Sequence, residues 1–183
     1  MSTTSVPTSR SRTRSVVAPG VLLGVGMGGF VDGIVLHQIL QWHHLLSTTE
    51  RWGRDTVPAL EANVLADGLF HAATWLAVAV GLAMLWQVAR DGTWRTTWRS
   101  LLGWMLVGWG GFNLVEGTVN HHLLQIHRVR PAADQPWAWD LAFLVLGVLL
   151  VAAGWALQRA DVRRAERRDA QPSEYASNTS RGQ

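Results

Sequence analysis

Four stretches of predominantly apolar residues alternate with short polar segments along the chain: Val16 to about Leu46, Leu65 to Ala89, Leu101 to His127, and Trp137 to Gln158. About 20 such residues suffice to cross a hydrocarbon core ~30 Å thick. No Arg interrupts their interiors, and glycine is frequent, as in membrane helices generally. A soluble bundle would keep a polar outer face, whereas residues 74–86 (TWLAVAVGLAMLW) and 141–157 (LAFLVLGVLLVAAGWAL) are apolar all round. The pattern predicts an all-α fold, a transmembrane four-helix bundle occupying residues 16–158. Before it stands a polar tail, residues 1–15. After it comes a basic tail, residues 159–183, read as a short helical extension that ends in disorder. Small-residue faces such as Gly20, Gly24 and Gly28 would let helices approach closely. The first stretch is too long for the apolar core of a signal peptide, and no small-x-small cleavage site follows, so it is read as a retained span.

Charge sets the expected orientation. All 16 basic residues are Arg. Arg10, Arg12 and Arg14 lie in the first tail, Arg90, Arg95 and Arg99 between the second and third spans. Arg159, Arg163, Arg164, Arg167, Arg168 and Arg181 lie in the last tail. Only Arg51, Arg54, Arg128 and Arg130 fall in the other two loops, which predicts both termini in the cytoplasm. The high pI then reflects topology and anionic headgroups of the lipid bilayer. No aromatic-rich basic patch for nucleic acid appears outside the spans. Trp42, Trp137 and Trp139 are read as interface anchors.

The polar residues inside the apolar stretches follow a repeat. Residues 31–43 (VDGIVLHQILQWH) and 115–127 (VEGTVNHHLLQIH) agree at seven of thirteen positions with an offset of 84. The matches are Val31, Asp32, Gly33, His37, Leu40, Gln41 and His43 with Val115, Glu116, Gly117, His121, Leu124, Gln125 and His127. The pattern predicts two duplicated helix pairs inserted in the same direction. All seven His fall in the half facing away from the Arg-rich side. A rise of ~1.5 Å per residue places Asp32 and Glu116 roughly 22–24 Å from the cytoplasmic ends, level with His71. His37, His121, Asp67 and Asp140 come next, with His43, His44, His122 and His127 as an approach above them. In the third span Asn113, Glu116, Asn120 and His127 form one polar stripe, expected to face the interior.

An ionisable group within the bilayer is costly unless paired and is a functional candidate by default. Imidazole and carboxylate without any thiolate, in a chain with no Cys, suit copper, iron, zinc, manganese or nickel. Disulfides, thiolate zinc sites and iron–sulfur clusters are excluded. Helical bundles build metal sites from inward side chains on facing helices. The candidate ligands for one or two ions are Asp32, His37, His71, Glu116 and His121, joined by the shallower His43, His122 and His127. Asp67, Asp140, Asn113 and Asn120 would orient the imidazoles. Two other chemistries stay open at this stage. One is b-type haem between His37 and His121, or between His71 and either of them. The other is a proton or ion pathway, against which stands the apolar cytoplasmic half. Whether the metal is handled or drives a redox reaction stays open, as do protein partners and homo-oligomer formation.

The strings GFVDGIVLHQILQWHHLLS (29–47), ADGLFHA (66–72), FNLVEGTVNHHLLQIHRVR (112–130) and the Trp139–Asp140 pair resemble a bacterial family of predicted four-span membrane proteins, domain of unknown function 2243. The resemblance covers roughly residues 20–158 and implies a multi-pass protein of the bacterial inner membrane. It implies no particular activity or cofactor. Arg128 stands at the repeat position of His44, where the resemblance would lead one to expect His.

Overall fold

The computed structural model of the chain describes residues 15–90 and 97–170. The arginines of the first tail, Arg95, and the end expected to be disordered, with Arg181, lie outside the described residues. The described part is helical, with α1 Val17–Phe30, α2 Val57–Arg90, α3 Trp98–Glu116 and α4 Pro136–Ala170. α1 continues without a break into a π-helical segment, Val31–Ile39, and α3 into another, Gly117–Leu123.

Glycine determines how the helices meet. α1 and α3 run parallel and nearly in backbone contact. Gly24 lies against the main chain of Met105 and Trp109, and Gly108 against that of Val21. A β-carbon at either position would collide with backbone, so only glycine permits the approach. α2 packs antiparallel on α1, with Gly26 beside Thr74 and Gly81 beside Leu23. α4 packs antiparallel on α3, with Gly110 beside Gly147 and Gly103 beside Gly154. Side chains tie the far ends of this second pair: Ser100 Oγ donates to Gln158 Oε1 at 3.0 Å, and Thr97 Oγ1 to Asp161 Oδ2 at 2.7 Å.

The order across the molecule is α2, α1, α3, α4. The backbones of α1 and α4 do not come close, nor do those of α2 and α3. Nor do those of α2 and α4, so the four-helix bundle is laid out as an open row, and a lateral cleft lies on each side of the central α1–α3 pair.

Three helices are long and apolar enough to span a membrane: Val17–Ile39, Val57–Arg90 and Pro136–Arg168. The fourth predicted span, in α3, falls short by composition. Its Gly103, Gly108, Gly110, Asn113 and Glu116 are buried against other helices, where apolarity toward lipid is not demanded. α2 and α4 are the opposite case: Leu65, Leu69, Trp75, Leu76, Leu146, Leu149 and Trp155 all stand exposed, as lipid-facing surfaces do.

The helical segments also stop earlier than the apolar runs. Helix ends at Ile39 and Leu123, although the runs continue to Leu46 and His127. Gln41 and Gln125 then take positive φ, 49° and 50°, and turn the chain back over the helix ends. Asn63 fastens the first fold-back, accepting from Leu46 N at 3.0 Å and donating to Trp52 O at 2.7 Å. The two fold-backs meet where Thr48 N donates to Ile126 O at 3.0 Å.

Candidate metal centre

The π-helical segments create the site's local geometry. An i→i+5 turn is one residue wider than an α-turn, so side chains five apart share a face. Asp32 and His37 are five apart, as are Glu116 and His121. The closest approaches are 3.4 Å from His37 Nε2 to Asp32 Oδ2 and 3.2 Å from His121 Nε2 to Glu116 Oε2. An ideal α-helix would aim the two members of each pair well apart.

The fold-backs supply the remaining imidazoles. His43 and His127, expected as a shallow approach, are fully buried beside His37 and His121. This corrects the layered depth estimate: the helix does not run on through these residues but turns at Gln41 and Gln125 and brings them down. The His43 and His127 rings stack with centroids 4.8 Å apart and planes 8° apart. His37 sits 4.4 Å from His43, and His121 sits 4.8 Å from His127, both edge-on.

Three of the four rings are hydrogen-bonded through Nδ1, and the fourth, His121, turns Nδ1 toward a carboxylate without a hydrogen bond. His37 Nδ1 lies 2.9 Å from Asp67 Oδ1, and His121 Nδ1 lies 3.5 Å from Asp140 Oδ1. His43 Nδ1 donates to Val129 O at 2.8 Å, and His127 Nδ1 to Leu45 O at 3.0 Å. Each of these last two bonds crosses to the other half of the chain, and Leu45 and Val129 are again 84 apart. A carbonyl oxygen only accepts, so Nδ1 of both residues carries the proton and Nε2 of the neutral ring presents a lone pair.

The Nε2 atoms converge on buried space. Those of His37, His43 and His121 have no hydrogen-bond partner. His127 Nε2 lies 2.7 Å from Glu116 Oε1. A lone pair and a carboxylate oxygen at that distance require a cation between or beside them, a proton or a metal ion. Two groups of potential ligand atoms result, each within 4.8 Å: His37, His43 and His127, and Glu116, His121 and His127. That span is near the ~4 Å across a site with bonds of ~2.1 Å.

The outer carboxylates are buried as well. Asp67 takes Leu45 N at 2.9 Å and His44 Nδ1 at 2.6 Å in addition to His37. Asp140 takes Val129 N at 3.0 Å and Arg128 Nη1 at 3.1 Å. Arg128 thus stands on Asp140 as His44 stands on Asp67. Asn120 donates weakly to Glu116 at 3.4 Å. The Asn113 side chain is buried and has no hydrogen bond to another described residue.

Three candidate ligands lie outside both groups: Asp32, which approaches only His37, and two histidines. His71 is turned onto Gly33, and its Nε2 is buried without a partner. His122 is exposed, and its Nδ1 lies 2.8 Å from Gly117 O on its own helix. Equal depth was the reason for including His71, but depth carries no information about azimuth. The carbonyls of Leu45 and Val129 were not foreseen, because backbone acceptors leave no residue-type signal.

No curated protein and no solved structure matches the chain. The family model described as predicted membrane protein (DUF2243) matches residues 19–161. That stretch contains all four helices up to the arginine-rich end of α4, both fold-backs and every residue of the buried cluster, and the chain belongs to this family of predicted membrane proteins.

Proposed function

We propose that the protein is an inner-membrane metalloprotein that holds one or two transition-metal ions between His37, His43, His121, His127, Glu116 and Asp32. The observation that carries this reading is the four imidazoles, three hydrogen-bonded through Nδ1 to a carboxylate or carbonyl and His121 turned toward Asp140, all with Nε2 facing inward. This is the outer-partner arrangement that sets tautomer and aim in metal-binding histidines. An all-nitrogen and oxygen donor set suits copper(II), zinc or iron over copper(I). His127 belongs to both ligand groups, so a single ion or two adjacent ones fit the set. Such an ion supplies Lewis acidity or, if redox-active, electron transfer in a site shielded from water.

The reading extends to topology and origin. The matched bonds at an offset of 84 support two duplicated helix pairs related by a pseudo-two-fold axis between α1 and α3. The arginine distribution supports both termini in the cytoplasm, with the cluster toward the outer face. Crowding argues against haem, because stacked His43 and His127 fill the space between His37 and His121 where a porphyrin would lie.

The test is elemental analysis of protein purified without a polyhistidine tag. One or two equivalents of one metal are expected. Substituting His43 and His127 together by Ala should remove as much metal as substituting His37 and His121. A preparation that holds no metal and takes up none on addition overturns the reading.

A further inference from the structure

The open row of helices leaves a cavity of about 240 Å³ between α1, α3 and α4. Val31, Trp109, Phe143 and Leu146 wall it, and Val31 and Leu146 are exposed on the apolar flank of the molecule. Its mouth therefore opens sideways, at the level of the hydrocarbon core. The top is closed by Trp42 and Trp139, edge to face at 5.0 Å. The Arg130 guanidinium lies over both rings, at 5.1 and 5.3 Å, and holds the pair together on the water side.

The inner end is polar. Asp32 and Asn113 line it, 4% and 2% exposed. The Asn113 side chain has no partner among the described residues, and the carboxylate of Asp32 approaches only His37 Nε2, at 3.4 Å. The cleft on the other side of the central pair, lined by Val25, Phe70 and Phe112, has no tryptophan in its wall. It ends at Glu116, one oxygen of which is taken by His127 and Asn120 while the other approaches His121 Nε2 at 3.2 Å.

A ligand for the first cleft must be uncharged and lipid-soluble to cross apolar walls, and flat to lie among Trp109, Phe143 and the tryptophan roof. It must also bring a hydroxyl to the Asp32 carboxylate, at the oxygen not turned to His37, and to the Asn113 side-chain amide. A cavity of ~150 Å³ already admits benzene, so this one has room for a single substituted ring. We propose that the cleft binds a membrane-soluble one-ring phenol or hydroquinone, its hydroxyl donating to Asp32 and meeting the Asn113 amide. The ring would enter from the bilayer and place its oxygen beside the cluster. The inference rests on the metal-centre reading for its purpose but not for its binding chemistry.

The experiment measures equilibrium binding of radiolabelled tetramethylhydroquinone to the full chain in lipid nanodiscs, with metal content determined on the same preparations. Saturable binding is expected, at least tenfold weaker for the dimethyl ether, which cannot donate, and for Asn113→Leu. Ala142→Phe, a change at an exposed position on the cleft wall, should block binding while leaving metal content unchanged. No saturable binding overturns the proposal. So does equal binding of the ether, or binding that resists both substitutions, either of which would make the cleft a seat for a lipid chain. Metal retained without hydroquinone binding defeats this inference alone. Hydroquinone bound by protein that takes up no metal defeats the metal reading alone.

Discussion

In one half of the cluster Glu116 reaches two imidazoles, at 2.7 Å from His127 and 3.2 Å from His121. In the other half Asp32 reaches only His37, at 3.4 Å, and His43 Nε2 has no partner. The backbones of the two halves follow the same path, with wide turns and positive-φ glutamines at matching positions. The difference is one methylene. Glutamate bridges the gap to the folded-back histidine and aspartate does not. A buried polar group without a partner costs about 1–3 kcal/mol, and both halves bear that cost: His37 Nε2 and His43 Nε2 in one, Glu116 Oε2 and both ring nitrogens of His121 in the other. What differs is the folded-back histidine, which Glu116 engages at 2.7 Å and Asp32 leaves open.

The largest test of that comparison removes each carboxylate in turn. Glu116→Ala should lower metal affinity beyond the ~10–100-fold typical of losing an outer partner, because it strips a ligand from two histidines at once. Asp32→Ala should cost clearly less. Competition with a chelator of known affinity measures both, and Glu116→Gln, which keeps the shape, guards against a folding defect. Equal losses would show that the two halves contribute alike and that the missing methylene has no energetic meaning.

The outer carboxylates sharpen the comparison. Asp67 holds His37 at 2.9 Å, whereas Asp140 stands 3.5 Å from His121 and is drawn toward Arg128 at 3.1 Å. Asp67→Asn should lower metal affinity ~10–100-fold, and Asp140→Asn by the smaller part of that range. The reverse order would mean that Arg128, not the imidazole contact, decides how firmly the ring is aimed.

The sequence made the helices and the pairing of acids with histidines legible, because apolar length and the repeat both record them directly. His37, His121, Asp67 and Asp140 meet as equal depth suggested. His43 and His127 join them for a reason hydropathy does not encode. Leu40, Trp42 and Leu45 continue the apolar pattern, so nothing in residue type marks the turn at Gln41. The shortfall of α3 has the same origin, since a helix sheltered by its neighbours need not look like one facing lipid. His71 shows the converse error. It lies at the expected depth, yet its ring is turned onto Gly33 and away from the cluster's two ligand groups.

The smallest expected effect concerns the turns themselves. Left-handed backbone costs a residue with a β-carbon about 1–2 kcal/mol, and glycine is spared that penalty but loses more freedom on folding. Gln41→Gly should therefore raise stability by up to about 1 kcal/mol, since what holds the turn is the main chain: Arg54 donates to Gln41 O at 3.3 Å, a bond glycine retains. Gln125 differs, because its own side chain donates to His122 O at 3.5 Å. Gln125→Gly loses that weak bond and should gain less. Thermal unfolding of the metal-free protein followed by circular dichroism would rank the two. A loss of stability in Gln41→Gly would mean that its side chain, and not only the turn it occupies, keeps His43 in the cluster.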